Sequence, residues 1–177
     1  ILPEEAAKVD SLLAQGEAAE KLGGWVKARV YYEQALAKLH AKDSQKRMWV
    51  IGRLQNVFER DPREIKSEFP KLVASEFEKI NDLESRKQLA GLMLYWVREQ
   101  SKDSQLERKW LLNMGNLNAG DTSVQARLRL ADLLNQEGNK DQAIQVLQPA
   151  VSTDLKFSSK NFVPVYLRLA DWNQDKE

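Results

Sequence analysis

The 177-residue chain has no cysteine, which excludes disulfides, thiolate metal sites and a cysteine nucleophile together, and leaves reducing and oxidising compartments equally open. It has one histidine, His40. That is too few for the usual zinc sets, and acid–base work by histidine needs positioned partners. Glycine and proline are sparse, at eight and five residues, and no alternating apolar pattern of useful length marks a strand. The longest apolar run, residues 92–97, is far short of the roughly 18 to 20 residues that a membrane-spanning helix needs. No membrane-spanning segment is therefore expected. Charge of one sign is missing as well: Lys plus Arg number 27 against 26 Asp plus Glu, a balance that disfavours nucleic acid or an anionic membrane as the main partner.

Known catalytic patterns are also lacking. There is no Gly-rich phosphate cradle and no Gly-x-Ser-x-Gly elbow. The acid pairs Glu4–Glu5, Glu17–Glu20 and Glu76–Glu78 could in principle do the two-carboxylate chemistry of glycosidases, but 26 acids spread over helical surfaces produce such pairs by chance. No enzyme activity, cofactor or metal is expected.

What the chain does have is apolar residues at three- and four-residue spacing through most segments, the mark of amphipathic helices. Breakers at Gly23-Gly24, Lys42-Asp43, Asp61-Pro62, Asn81-Asp82, Lys102-Asp103, Gly120-Asp121, Gly138-Asn139 and residues 152–161 cut it into about nine helices. Asp61-Pro62-Arg63-Glu64 reads as a helix start, with a capping aspartate, a proline at the first helical position and a capping-box glutamate. Pro70 and Pro149 fall inside helical patterns and predict a kink or break. The length suits one domain, residues 1–177. Because the chain begins at Ile1 without a methionine or a leader, it is expected to be a segment of something longer.

The pentapeptide Leu-Arg-Leu-Ala-Asp occurs twice, at residues 128–132 and 167–171. Self-similarity at such a period points to stacked helical hairpins. Residues 9–42 resemble a tetratricopeptide repeat: Leu12 and Gly16 match its first helix, and Ala28, Tyr32 and Ala35 its small-aromatic-small pattern on the second. Residues 124–157 are similar, with Ala131, Gly138, Ala143, Leu147 and Ala150 in the same register. Residues 163–177, with Ala170 equivalent to Ala131, read as a truncated half-repeat whose helix starts near Val163. Between residues 44 and 118 only the helical rhythm continues. The tryptophans 25, 49, 96, 110 and 172 are expected to pack between hairpins.

The resemblance implies an all-α superhelical stack, a tetratricopeptide-like α-solenoid, that binds another protein or peptide in its concave groove as a scaffold. Residues on the first helix of each repeat would face the partner. These are Leu13, Glu17, Glu20 and Lys21 in the first copy, Leu128, Asp132, Asn135 and Gln136 in the second, and Leu167 and Asp171 in the truncated one. Relatives that clamp a terminal carboxylate use Lys, Arg and Asn at such places. Leucines and acids here suit a ligand with Lys, Arg or amide donors instead, and Glu17, Asp132 and Asp171 would form an acidic ladder. Scaffolds of bacterial secretion or polysaccharide export are similar too, so the compartment could be cytoplasm or periplasm. Two alternatives stand beside this reading: a superhelical arm of a larger enzyme, or binding of nucleic acid or an acidic polymer through residues 27–53, which hold seven Lys/Arg and two acids.

Overall fold

The computed structural model describes residues 2–61, 68–151 and 159–174. Among them are nine α-helices and no strand. They are α1 (Pro3–Lys21), α2 (Trp25–Lys38), α3 (Ser44–Arg60), α4 (Phe69–Lys79), α5 (Leu83–Trp96), α6 (Ser104–Asn116), α7 (Asp121–Gln136), α8 (Lys140–Leu147) and α9 (Ser159–Asn173). A π-helical turn, Val97–Ser101, follows α5, and a 3-10 turn, Gln148–Val151, follows α8. The chain forms two compact units, Ile1–Leu89 and Ala90–Glu177, whose boundary falls within α5.

Local signals explain most helix ends. Pro3 sits in the first turn of α1, where its missing N–H is no loss. Asp103 caps α6 by accepting from Gln105 N at 2.9 Å and Leu106 N at 3.1 Å. Pro70 lies in the first turn of α4, and the α-helical run of α8 gives way to the 3-10 turn around Pro149, so both prolines mark breaks. Asp61 follows α3; the rest of the expected helix start, Pro62 to Glu64, lies outside the described residues. The last helix begins at Ser159, four residues ahead of the expected start near Val163, and takes Pro164 inside it.

In the first unit, α1 and α2 form a hairpin, α3 packs on α2, and α4 packs on α3. Its core joins Val9, Ala28, Tyr32, Ala35, Ile51, Leu54, Phe58, Phe69 and Val73, all at most 1% exposed, with the Phe58 and Phe69 rings edge to face at 5.5 Å. In the second unit, α6 packs on α7, α7 and α8 form a hairpin, and α9 packs against both. Trp110, Leu111, Val124, Ala131, Ala143, Leu147, Ala150 and Val165 fill its core.

The two hairpins turn in the same way. In α1–α2, Gly24 N donates to Ala19 O at 2.8 Å and Gly23 N to Glu20 O at 3.0 Å; in α7–α8, Asn139 N donates to Leu134 O at 2.9 Å and Gly138 N to Asn135 O at 3.0 Å. This is the Schellman closure, whose left-handed residue is best supplied by glycine. Gly23 and Gly138 occupy that place, with φ of 72° and 83°. Beyond the turn, Ala28 and Ala143, Tyr32 and Leu147, and Ala35 and Ala150 take equivalent places, all fully buried.

Candidate functional site

In the first unit the close crossing of α1 and α2 is set by Gly16, where an added Cβ would stand 2.6 Å from Tyr32 Cε1. The Tyr32 ring therefore lies directly on the α1 backbone, and its hydroxyl donates to Glu20 Oε2 at 2.8 Å. Burial, and then the Glu20 carboxylate, push the Tyr32 phenol up to about 12, against the opposing pull of Arg53. Glu20 also takes Arg53 Nη2 at 2.6 Å and the Asn56 side-chain amide, both from α3. The carboxylate expected to meet a partner is thus enclosed among three donors, Tyr32 of α2 and Arg53 and Asn56 reaching from α3.

The other expected contact residues divide in the same manner. Leu13 and Leu128 are buried, one face of each helix having gone into the core. Asp132 is held by Arg168 of α9 through two parallel bonds, Nε to Oδ1 at 2.6 Å and Nη2 to Oδ2 at 2.8 Å. This bidentate pair neutralises one rung of the expected acidic ladder, and the bond from Asp132 is the main cause that holds the Arg168 guanidinium pKa above its usual value. Glu17 and Asn135 are half-buried, while Lys21, Gln136, Leu167 and Asp171 stand exposed. Ala170, expected at a close contact like Ala131, is exposed too. α9 also carries four exposed apolar side chains, Phe162, Val163, Tyr166 and Leu167. The Phe162 and Tyr166 ring centroids lie 4.3 Å apart with the planes tilted by 39°.

The basic stretch 27–53 is largely neutralised in place. Arg29 pairs with Glu33, Lys46 with Asp10, Arg53 with Glu20, and the buried Arg47 with Glu76 at 2.5 Å. His40 is exposed just after α2, and no group of three or more acids or histidines suited to a metal exists among the described residues. Of the tryptophans, 96 and 110 are buried as expected, but Trp49 is exposed, edge-on to Tyr32 at 6.3 Å, and Trp25 lies under the Arg60 guanidinium at 4.9 Å.

In the second unit a hollow of about 720 Å³ lies between α6, α7 and α8. Arg127 reaches it, buried, donating to Val146 O at 3.1 Å and Asn116 Oδ1 at 3.2 Å. A smaller hollow of about 360 Å³ lies beside the π-turn, where Arg98 and Arg129 share the Glu107 carboxylate, each at 3.6 Å. The sequence reading missed both clefts. Gly115, where a Cβ would come within 2.9 Å of Arg127 Cγ, was the available signal for the first, as a small residue opposite a long one. Comparison with protein-family models, curated proteins and solved structures finds no match to this chain.

Proposed function

We propose that the chain is a non-catalytic helical-repeat scaffold of tetratricopeptide type, which holds a peptide, helix or subunit of a partner protein against exposed faces of its helices. One observation carries this reading. Within each unit, polar ties join helices two apart in the chain at a near-constant sequence separation. Arg53 to Glu20 spans 33 residues and Asn56 to Glu20 spans 36, both from α3 to α1, as does Lys46 to Asp10 at 36. Arg168 to Asp132 spans 36 and Asn161 to Asp121 spans 40, both from α9 to α7. A recurring separation near the length of one hairpin repeat is what stacked repeats produce.

The second support is the set of exposed apolar side chains on α9, the helix that also carries the exposed Asp171, since clustered exposed apolar side chains mark interaction surfaces. Such a face suits a segment that alternates apolar anchors with Lys or Arg. The test is selection from a displayed peptide library with the whole chain as bait. The expected result is a consensus of that kind, with binding weakened at least about tenfold, or 1.4 kcal/mol, by Leu167→Asp with Asp171→Lys at unchanged helicity. Selection without any consensus, or full binding by the folded double variant, overturns the reading.

A further inference from the structure

Arginine is almost never buried in proteins without an acidic partner, because a desolvated charge costs several kcal/mol unless it is compensated. This chain follows that rule at Arg47, which is 3% exposed and meets Glu76 at 2.5 Å besides two backbone carbonyls, Leu36 O and Leu39 O. It departs from the rule at Arg127. That side chain is 7% exposed, its acceptors among the described residues are the neutral Val146 O and Asn116 Oδ1, and its Nε has no partner among them. Burial lowers its pKa, as expected for a guanidinium short of compensation. The fold nevertheless makes room for it, since Gly115 lets the side-chain stem pass where any Cβ would collide.

The surroundings continue the same bias. Among the described residues, the cleft that Arg127 lines contains two more cations, Arg108 and Lys109, and no acidic side chain. Arg108 is paired with Glu137, whereas Lys109 is exposed. Four amide side chains, Gln105, Asn116, Gln142 and Gln145, stand around the cleft, and each can both donate and accept, as a peptide main chain requires. Leu112, Leu130, Leu134 and Val146 supply apolar wall. On α7, the cleft residues Arg127, Leu130 and Leu134 follow three- and four-residue spacing, and so lie on a different stripe from Leu128, Asp132 and Asn135.

We propose that the cleft between α6, α7 and α8 is a second recognition site, one that takes an acidic peptide segment, with its carboxylate compensating Arg127 and Lys109 and a neighbouring apolar side chain against Leu112, Leu130 and Leu134. The inference shares with the scaffold reading only that the ligand is a peptide. It does not depend on the α9 face.

The experiment uses the whole chain and three probes: a blocked peptide of alternating Leu and Glu, its Leu/Gln counterpart, and free succinate. Binding is followed by heteronuclear NMR, which reads the Arg127 Nε–H and the glutamine side-chain amides directly. The Leu/Glu peptide should shift the Arg127, Gln142 and Gln145 signals saturably. The Leu/Gln peptide should bind about tenfold more weakly or worse, and succinate weaker still. Arg127→Gln should cost about tenfold or more, and Lys109→Gln, on the exposed rim, about two- to threefold. If Arg127→Gln does not fold, Lys109→Glu serves in its place and should weaken the Leu/Glu peptide but not the Leu/Gln one. Equal binding of the two peptides, succinate binding as tightly as the peptide, or no saturable shift at Arg127 overturns the proposal. The α9 variant Leu167→Asp with Asp171→Lys should leave acidic-peptide binding unchanged, so this site and the scaffold reading stand or fall separately.

Discussion

Gly16 and Tyr32 show how one residue's size sets the next residue's identity. A Cβ at position 16 would stand 2.6 Å from Tyr32 Cε1 and 2.8 Å from Cδ1, so a fully buried tyrosine demands glycine opposite it. In the second hairpin leucine takes the place of tyrosine, and alanine, Ala131, the place of glycine. Gly16→Ala should therefore cost about 1 to 3 kcal/mol by overpacking, and adding Tyr32→Leu should recover much of it. Urea unfolding of the three variants checks this, and an unchanged midpoint in the single variant rejects the close contact. Tyr32 also carries a pH dependence. Burial lifts its phenol from 10.0 to about 12, so the folded state holds the proton more tightly than the unfolded state. The contribution is complete below the unfolded value and is lost as pH rises from about 10 through 12. Denaturation midpoints of the wild type should fall across that window, with a smaller fall in Tyr32→Phe.

Between elements, α3 and α4 are tied by a buried ion pair. Arg47 Nη2 stands 2.5 Å from Glu76 Oε2, with the two side chains 4% and 1% exposed, and Arg47 also donates to two carbonyls at the end of α2, Leu36 O and Leu39 O. Such a pair adds little net stability over an apolar replacement, yet removing one partner strands a charge. Glu76→Gln should lower stability by about 3 to 5 kcal/mol, while Arg47→Met with Glu76→Leu should lie much nearer the wild type. Thermal unfolding of both variants distinguishes this account from one in which the pair is only a surface contact, where the two would be similar. At the second hairpin, the Arg168–Asp132 pair ties α9 to α7 across a partly exposed site, so its individual worth is smaller and screened by salt.

Over the whole molecule, charge is arranged to cancel. The net charge is +1, and the most basic stretch has four of its seven cations paired: Arg29, Lys46, Arg47 and Arg53. Polyanion affinity comes from cations free to displace counterions. The chain should therefore leave a heparin column at or below roughly 0.15 M salt, near physiological ionic strength. Retention to much higher salt would restore the polyanion reading of residues 27–53.

The helical class and, among the described residues, the nine helices and nearly all breaks were legible in the sequence, because helix periodicity and the chemistry of Gly, Pro and Asp act over a few neighbouring residues. So was the small-residue pattern of the two hairpins: Gly16, Ala28, Ala35, Ala131, Ala143 and Ala150 are all buried. The α9 start was misplaced, since the stretch 152–161 was read as a break to its end, whereas the helix already begins at Ser159. What only the tertiary structure decided was which polar side chains remain available. Glu20 and Asp171 are both helical acids, yet Arg53 and Asn56 of α3 enclose the first while the second stands exposed. Asp132 and Arg168 are 36 residues apart, and Arg127 lies buried without a carboxylate while Arg47 has one. Charge pairing depends on distances of a few ångströms between helices far apart in the chain, and no spacing along the sequence contains them.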